Sequence, residues 1–387
     1  MGVQGSAVTG DLVVVGPIYP YRGGIAHHTA QLADQLAAGH SVRVNSFRSL
    51  YPQWLFPGRS QLEAGESPSA QVPTDYRLIP WWPPSWGQVG RDWAEHKPDR
   101  VILQWWITFM APMTAWLVRR AHQLGLPVIV VCHNVLPHER GGLDVKLARW
   151  ALGRADVLIV HSATDQQLAR SLFPGKDVRS VPFPQSVGLP PNTWSRARAR
   201  EALEADQRLI LFFGFVRPYK GLRDLIEAMP AVLQDGAATL LVVGEIWQGR
   251  QEYARLVEQR GVGDHVRFVD RYVSSDETAM YFAAADLVVM PYRHATTSAA
   301  VQLAFAFSVP VIATRTGSMA EAIDDGVTGF LVEPGDVAGL AGAIRRFFRE
   351  GQAEAFRAAI ADQRRRFSWS AVVDCVLQPV GGLNVAP

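Results

Sequence analysis

Short apolar runs recur along the chain and alternate with longer segments of helical period. Five runs lie in the first half, at 12–16, 42–47, 101–106, 128–132 and 157–162. Five more lie in the second half, at 209–214, 240–244, 266–270, 287–291 and 310–314. Short apolar strands that alternate with helices are typical of parallel sheets covered by helices on both faces. The pattern therefore predicts an α/β protein with two doubly wound domains.

The break between the two series lies in QSVGLPPNTWSRARAR, residues 185–200, which is rich in Pro and Arg and has no clear period. We predict an N-terminal Rossmann-like domain over 1–190 and a C-terminal one over 201–366. Ligands of open parallel sheets bind beyond the carboxyl ends of the strands. Two such sheets that face each other would enclose a cleft, so the residues that follow each strand are the candidates for a functional site.

One apolar segment, 101–118, is nearly long enough to span a bilayer. Gln104 interrupts it, and Pro112 suits the first turn of a helix. We therefore interpret the segment as a strand, a turn and a helix.

Composition narrows the class of protein. The 387 residues are 48% hydrophobic and 19% charged, as in a soluble globular protein, and the net charge of +2 does not indicate nucleic-acid binding. Short basic clusters at 195–200 and 364–366 are interpreted as a solvated linker or helix end, with contact to an anionic membrane surface as the alternative. Two cysteines fit a reducing compartment, and the N-terminus lacks the pattern of a signal peptide. The expected localisation is cytoplasmic, with the inner face of the membrane as an alternative.

Two glycines, Gly23 and Gly24, precede a helical stretch after the first predicted strand. Glycines allow the backbone to approach a ligand closely, and the start of a helix offers free N–H groups to an anion. GxGxxG is absent and no acidic residue ends the next strand, which argues against a dinucleotide site. A tight turn is the alternative interpretation.

A histidine, His133, follows the fourth predicted strand, where it can donate a hydrogen bond to a sugar or a phosphate. A structural role in the loop is equally compatible with its position. The spacing of His133, His138 and Glu139 also admits metal ligation, but there is no helical HExxH arrangement. We therefore predict no metal.

The second series begins with FFGFVRPYKG, in which Gly214, Arg217 and Lys220 stand between a strand and a helix. Arg can bind a phosphate through two hydrogen bonds, and Lys places a compact charge beside it. The spacing of a Walker A loop is missing. The turn is therefore a candidate phosphate site, with a solvated pair of charges as the alternative.

A second candidate phosphate site follows the strand at 287–291. Thr297 and Ser298 can cap the next helix, and Ala299 and Ala300 leave its backbone uncovered for a diphosphate. An ordinary capped helix has the same pattern.

With these residues in view, FGFVRPYKG (213–221) and GSMAEAIDDGVTGFLVEPGD (317–336) resemble the family 4 glycosyltransferases. The resemblance covers almost the whole chain and is strongest over 209–336. It implies the GT-B fold, two facing doubly wound Rossmann-like domains with a cleft between them. It also implies that the C-terminal segment 367–387 forms a helix that crosses back to the N-terminal domain.

The resemblance assigns roles to residues and also shows departures. Gly23, Gly24 and His133 fall where the family places its N-terminal phosphate loop and its sugar-side histidine. The family's arginine directly after the glycine of the diphosphate turn is Phe215 here, and Arg217 is expected to supply that charge.

The larger departure concerns two family glutamates that stand eight residues apart. The pattern places them at Ala295 and Leu303, so neither is acidic. Gln302, beside the second position, and Glu321, the nearest remaining carboxylate at the expected start of the next helix, are the candidate donor-side residues in their place. We predict a divergent but active donor site.

The mechanism that the resemblance implies is sugar transfer with retention of anomeric configuration. Arg217, Lys220 and helix N-termini would stabilise the departing diphosphate, so that no metal or other cofactor is required. The leaving phosphate would take the acceptor's proton, and His133 would orient the sugar.

The acceptor side is expected in the first domain. Trp105 and Trp106 end a strand and, with His138, are candidates to contact a glycan, a lipid-linked or a small-molecule acceptor; packing in the core is the alternative. WWPPSW at 81–86 is a candidate for peripheral contact with a membrane. The resemblance places the chain in polysaccharide biosynthesis.

Two other functions stay open. The missing glutamates favour a pseudoenzyme that binds a nucleotide sugar or partners an active transferase. A sugar-nucleotide epimerase or hydrolase on the same fold would need a pair of carboxylates in the cleft, and the sequence shows none.

Overall fold

The computed structural model of the chain describes residues 10–54, 56, 58–63, 72–137, 142–185, 194–294 and 299–381. The chain forms two compact units. The first unit comprises Met1–Pro182 together with Trp369–Pro387, and the second comprises Phe183–Ser368. Each unit is built on one parallel sheet with helices on both faces, so the chain has two Rossmann-like α/β units.

The sheet of the first unit has seven strands. They are β1 (Asp11–Val15), β2 (Ser41–Phe47), β3 (Thr74–Leu78), β4 (Arg100–Trp105), β5 (Val128–Cys132), β6 (Val157–Val160) and β7 (Asp177–Ser180). Their order is β3-β2-β1-β4-β5-β6-β7, and every neighbouring pair is parallel. The strand order reverses between β1 and β4, the position at which open α/β sheets bind ligands.

Helices cover both faces of this sheet. The helix α1 (Gly24–Ala37) follows β1. The next four helices follow β3 to β6 in chain order and are α2 (Pro83–His96), α3 (Ala111–Gln123), α4 (Asp144–Leu152) and α5 (Ala163–Leu172). The segment 101–118 is the strand β4 followed by the start of α3, as the interruptions at Gln104 and Pro112 indicate. Among the described residues, no helix is long and apolar enough to cross a membrane.

The sheet of the second unit has six strands. They are β8 (Arg208–Phe213), β9 (Ala238–Val243), β10 (Val266–Val269), β11 (Leu287–Met290), β12 (Val311–Thr314) and β13 (Gly329–Val332). Their order is β10-β9-β8-β11-β12-β13, again with every neighbouring pair parallel. The order reverses between β8 and β11, so the turns that follow these two strands are the expected ligand site.

Helices α6 to α13 belong to the second unit. They are α6 (Arg196–Ala202), α7 (Leu222–Val232), α8 (Arg250–Gln259), α9 (Ser275–Ala284), α10 (Ala299–Ala306), α11 (Gly317–Ala322), α12 (Val337–Arg349) and α13 (Ala353–Asp362). The basic cluster at 195–200 lies in α6, whose Arg200 binds Asp286 at 3.0 Å while Arg196 binds the other oxygen of that carboxylate. These side chains hold α6 to the end of α9 and are not a solvated linker.

The last helix, α14 (Trp369–Leu377), packs with the first unit. Trp369, Val372 and Val376 are buried in the same core cluster as Leu32 and Leu36 of α1. The Arg179 guanidinium of β7 donates to the backbone oxygen of Cys375 at 3.0 Å. Apolar burial and polar contacts therefore both hold α14 on this unit.

Candidate active site

The turn after β8 packs against the end of β11. Gly214 has a φ of 101° and Gly221 a φ of 71°, values that favour glycine. A Cβ at Gly221 would lie 1.9 Å from the backbone oxygen of Pro291, and a Cβ at Gly214 would lie 3.0 Å from the Nζ of Lys220. Gly221 is therefore required where the turn approaches the backbone at the end of β11, and the positive φ of Gly214 favours glycine beside the Lys220 ammonium.

Lys220 presents its ammonium without a carboxylate partner among the described residues. Its Nζ lies 5.3 Å from the centroid of the Tyr292 ring, and it makes no ion pair or hydrogen bond with any residue that the structure describes. Burial lowers the pKa of Lys220; of its neighbours, Tyr219 acts to raise that pKa and Arg217 to lower it. A bound anion would offset the cost of keeping this half-buried charge.

Arg217 lies among aromatic rings. Its guanidinium carbon is 5.4 Å from the centroid of the Tyr219 ring and 5.5 Å from that of Trp247, which follows β9. Phe215 packs on Trp247 with centroids 4.9 Å apart, and on Tyr272 at 6.2 Å. Phe215, which occupies the position of the family's arginine, thus belongs to an aromatic cluster that contacts Arg217. Sequence reasoning missed Trp247 and Tyr272, although both follow strands whose carboxyl ends meet at this edge.

An ion pair ties α7 to the segment after β11. Arg293 donates two hydrogen bonds to the buried carboxylate of Asp224, at 3.1 and 2.6 Å. The backbone N–H of Arg293 also donates to the oxygen of Tyr219 at 2.7 Å. The hydrogen bonds to Asp224 raise the pKa of Arg293. The phosphate-site turn is thereby fixed to the neighbouring strand end.

The helix α10 carries the predicted donor-side residues Ala299, Ala300 and Gln302. The two alanines are half-buried, whereas Gln302 is buried and its Oε1 has no hydrogen-bond partner among the described residues. A buried polar atom without a partner is rare and calls for an explanation. Thr297 and Ser298 lie outside the described residues, so their capping role stays a prediction, as does the geometry at Ala295.

Glu321 is the fifth of the six residues of α11, so its predicted place at the start of that helix is wrong. The helix begins earlier, at Gly317, whose φ of 49° lets the chain turn directly after β12. The Glu321 side chain is half-buried, and its backbone oxygen accepts a hydrogen bond from Arg366 at 2.7 Å.

In the first unit, Gly23 caps α1 with a φ of 107°, and a Cβ there would meet nothing within 4 Å. Gly24 is the first residue of the helix. The start of α1 is therefore a helix N-terminus beside open space, as a phosphate loop requires.

His133 lies at the end of β5 and is buried. Its Nε2 is 2.7 Å from the Oε1 of Gln104, and its ring is 4.7 Å from that of His28 and 5.8 Å from that of His161. Burial lowers the pKa of His133 well below its ordinary value, and His161 acts in the same direction, so the imidazole is neutral. Sequence reasoning missed these three neighbours of His133. Gln104 and His161 were visible as polar residues within apolar runs, whereas nothing distinguished His28 on the face of α1.

The two tryptophans predicted for the acceptor side are buried. Trp105 is 1% exposed and Trp106 is 8% exposed, and both belong to the main core of the first unit. The indole N–H of Trp106 donates to the hydroxyl of Tyr51 at 2.7 Å. The core alternative therefore describes both residues, because β4 is a central strand covered on both faces. His138 lies outside the described residues, and its acceptor role stays a prediction.

The described residues contain no group of three or more His, Cys, Asp or Glu side chains that could hold a metal ion. His138 and Glu139, two of the three candidate ligands, lie outside the described residues.

Two family models match the chain. "Glycosyltransferase Family 4" matches residues 22–204, and "Glycosyl transferases group 1" matches residues 207–350. The chain belongs to the family 4 glycosyltransferases.

Relatives agree with this family 4 assignment. D-inositol 3-phosphate glycosyltransferase 1 of Catenulispora acidiphila is 31% identical over 277 residues, which are 67% of this chain and 65% of the relative. The chain thus spans slightly less than two thirds of that protein. A GDP-mannose-dependent alpha-(1-6)-phosphatidylinositol monomannoside mannosyltransferase of Mycolicibacterium smegmatis is 27% identical over 349 residues, 86% of this chain and 87% of the relative.

Solved structures show the fold of this family 4 glycosyltransferase. Sucrose-phosphate synthase from Thermosynechococcus elongatus superposes with a TM-score of 0.74 at 21% identity, covering 94% of this chain and 96% of that one. Anabaena HepE in complex with UDP-glucose superposes with a TM-score of 0.71 at 18% identity, covering 95% and 98%. At these identities the likeness establishes the architecture, which is that of the GT-B glycosyltransferases.

The family's second glutamate position is a core position in this chain. Leu303 is 9% exposed and packs in the cluster that contains Phe305 and Val301. A carboxylate there would lose its hydration without a partner. The departure from the family pattern is therefore built into the packing of α10.

Proposed function

We propose that the chain transfers a sugar from a nucleotide-diphosphate sugar to an acceptor hydroxyl, with retention of anomeric configuration and without a metal. The observation that carries this proposal is the half-buried ammonium of Lys220, which makes no ion pair with a described residue and lies beside Arg217. Both cations lie at the switch point of the second sheet, where they form a site for a doubly charged leaving group.

The chemistry follows from where charge develops. As the bond between the sugar and the diphosphate breaks, negative charge accumulates on the leaving phosphate. Arg217 and Lys220 stabilise that charge more than they stabilise the bound substrate, which lowers the barrier. The departing phosphate then accepts the proton of the acceptor hydroxyl.

His133 contributes as a neutral group. Its lowered pKa keeps the imidazole uncharged near neutral pH, so it orients the sugar by hydrogen bonding and adds no charge of its own. On α10, the buried Oε1 of Gln302 has no hydrogen-bond partner among the described residues, and it offers an acceptor to a hydroxyl of the donor.

The acceptor is proposed to be a glycan, a lipid-linked or a small molecule, with the reaction in the cytoplasm or at the inner face of the membrane. Among relatives, one is named for inositol 3-phosphate and another for a phosphatidylinositol mannoside, which supports a polar hydroxyl-rich acceptor. A role in polysaccharide biosynthesis belongs to the same proposal. The relatives' names and titles include both GDP-mannose and UDP-glucose, so the donor panel must span several bases.

The test is calorimetric titration of the protein with a panel of nucleoside diphosphates and nucleotide sugars in the presence of a chelator. Wild type is compared with Lys220→Met, which keeps the length of the side chain and removes its charge, and with Lys220→Arg. Lys97→Met on the first unit is the matched control, because Lys97 is exposed. The proposal is supported if one diphosphate binds to wild type, Lys220→Arg and Lys97→Met but not to Lys220→Met. Equal binding by all variants would overturn it.

The packing of Leu303 also favours a second function, a pseudoenzyme that binds a nucleotide sugar without transferring it. Donor consumption measured with and without candidate acceptors separates the functions. Consumption that depends on an acceptor indicates a transferase, whereas consumption or isomerisation without any acceptor indicates a hydrolase or an epimerase. Donor binding with neither outcome indicates a pseudoenzyme.

A further inference from the structure

Four arginines of the second unit are brought to one place by three elements. Arg196 and Arg200 lie on α6, which contacts α9. Arg357 lies on α13, and Arg364 lies in the short 3₁₀ helix Gln363–Phe367, which contacts α10. Residues far apart in the sequence therefore supply positive charge to the same region of the unit.

Shared hydrogen-bond acceptors show that three of these guanidinium groups are neighbours. Nη1 of Arg196 and Nη2 of Arg357 donate to the same backbone oxygen, that of Ala285, at 2.8 and 3.1 Å. Nη1 of Arg357 lies 3.5 Å from the backbone oxygen of Ser308, and Nη2 of Arg364 donates to the hydroxyl oxygen of that serine at 2.9 Å. Arg196, Arg357 and Arg364 therefore form a continuous arginine row.

The carboxylate beside the arginine row does not balance its charge. Asp286 binds both Arg196 and Arg200, so one carboxylate faces two cations. Arg357 and Arg364 make no ion pair with any residue that the structure describes. The region thus has an excess of positive charge.

Arg357 is the half-buried member of the row. Burial lowers the pKa of Arg357, and the neighbouring Arg196 acts in the same direction, whereas Glu354 and Asp286 act to raise that pKa. Glu354 is exposed, so solvent and salt screen its charge. A guanidinium that is partly desolvated beside another cation is unfavourable, and a bound anion would offset that cost.

The backbone of Ser308 indicates that the position of Arg364 is built into the fold. The φ of Ser308 is 53°, in the left-handed region that favours glycine. The serine nevertheless occupies this position, and its hydroxyl accepts the hydrogen bond that holds Arg364 beside Arg357. Backbone strain of this kind is characteristic of functional sites.

Capping of helix ends explains only part of this arrangement. Arginine side chains often donate to the carbonyls at the end of a helix, as Arg196 and Arg357 do here. Among the described residues, Arg357 uses two of its N–H donors and Arg364 uses one. Each guanidinium therefore has further donors to offer, and their planar arrangement suits the oxygens of a phosphate.

The row lies at the edge of the second sheet that is opposite the candidate active site. Ala285 and Ser308 precede β11 and β12, whereas the turn that contains Lys220 follows β8. Because the strands are parallel, the row is at their amino ends and the turn is at a carboxyl end. The strand β11 has four residues, so the two edges are at least roughly 13 Å apart.

We propose that Arg196, Arg357 and Arg364 bind the phosphate group of a small soluble molecule. The three guanidinium groups donate to the phosphate oxygens, and the anion compensates the excess of positive charge. Of the exposed large apolar side chains that the structure describes, Val327 is the one in the second unit, which favours a soluble ligand over a membrane surface. The proposal does not depend on which reaction the chain catalyses.

The test is calorimetric titration with pyrophosphate of proteins that all carry Lys220→Met, so that the candidate active site loses its ammonium. The site variant adds Arg357→Gln and Arg364→Gln. The matched control adds Arg255→Gln and Arg349→Gln, which remove the same charge from exposed positions of α8 and α12. A third variant adds Arg364→Gln alone, because Arg364 is exposed and its replacement leaves the interior unchanged. Thermal melting verifies that each variant is folded.

We expect Lys220→Met and the control to bind one pyrophosphate per chain with equal affinity. The variant with Arg364→Gln alone is expected to bind about tenfold more weakly, and the site variant to show no binding in the same concentration range. Absence of binding to Lys220→Met would overturn the proposal, as would binding that the site variant retains. Equal losses in the control and the site variant would overturn it too, because net charge and not the arginine row would then govern binding.

Discussion

His133 donates a hydrogen bond to Gln104 inside the first unit, with 2.7 Å between the imidazole Nε2 and the amide Oε1. An amide oxygen only accepts, so the proton of the neutral imidazole is on Nε2 and the lone pair is on Nδ1. Gln104 thus selects the tautomer of the sugar-side histidine, which makes it a positioning residue.

Replacing Gln104 tests this relationship. In Gln104→Glu a carboxylate faces the imidazole and favours the imidazolium, so the pKa of His133 is expected to rise. In Gln104→Leu the ring stays neutral but loses the hydrogen bond to Gln104, so the population of the tautomer protonated on Nε2 is expected to fall. Two-bond ¹H–¹⁵N correlation spectra of protein labelled with ¹⁵N at its histidine rings report the tautomer and the charge state. The signals of His133 are assigned by their absence in His133→Gln. Identical His133 signals in wild type and Gln104→Leu would contradict the assignment.

The three buried histidines predict acid destabilisation of the first unit. Burial lowers the pKa of His28 and His133 well below the ordinary value, and lowers that of His161 to about 4. Below a pH of about 6.5 the unfolded chain binds protons that these folded histidines do not. The free energy of unfolding is therefore expected to fall as the pH drops from about 6.5 towards 4, by up to about 1.4 kcal/mol per pH unit for each histidine.

Urea denaturation at a series of pH values checks this expectation. His161→Asn removes one titrating group while its amide retains the ability to donate to the oxygen of Val181, which lies 3.2 Å from the Nδ1 of His161. The slope of stability against pH should decrease by about one proton in this variant. The carboxylates contribute equally to the pH dependence of wild type and of His161→Asn. An unchanged slope in the variant would therefore mean that His161 is not a buried, neutral histidine in the folded protein.

Trp247 is predicted to act through Arg217. The ring lies 5.5 Å from the guanidinium carbon, and such a contact is worth about 0.5–1 kcal/mol when exposed. Trp247→Leu is expected to lower kcat with little change in the donor KM, because leaving-group charge develops only in the transition state. Trp247→Phe retains a ring and should retain most activity.

A double-mutant cycle separates positioning from general damage. Arg217→Ala is expected to lower kcat by about 10²–10³. Adding Trp247→Leu to that variant should then have little further effect, because the group that Trp247 positions is gone. Additive losses would show that Trp247 acts independently of Arg217.

The strands that sequence patterns identified and those they missed differ in position. All ten predicted runs form strands, whereas β3, β7 and β13 were not predicted. The three missed strands are all at sheet edges, and β3 and β7 each bury a single residue. An edge strand has a solvated side, so its sequence need not contain a continuous apolar run. Periodicity finds every central strand because central strands are buried on both faces. Of the four edge strands it finds β10, whose run at 266–270 contains three apolar residues.

The same distinction applies to the site. The place of Gly214, Arg217 and Lys220 between β8 and α7 could be predicted because their position after a strand is visible in the sequence, whereas their role in binding stays a prediction. The partners Trp247 and Tyr292 could not, since they follow other strands and meet the turn only through the strand order. Contacts between distant elements are a property of the topology and carry no local signal.

The two residues of the Asp224–Arg293 ion pair are predicted to contribute unequally to the free energy of unfolding. The Asp224 side chain is 4% exposed and that of Arg293 is 50% exposed. Without Arg293 the carboxylate stays buried and uncompensated, whereas without the charge of Asp224 the guanidinium can turn to water.

Arg293→Met is therefore expected to cost about 2 kcal/mol or more of unfolding free energy, and Asp224→Asn distinctly less. The double variant should be more stable than Arg293→Met alone, because it no longer buries an unpaired charge. Chemical denaturation of the four proteins measures the cycle, and equal losses in the two single variants would show that burial of Asp224 does not govern this contact.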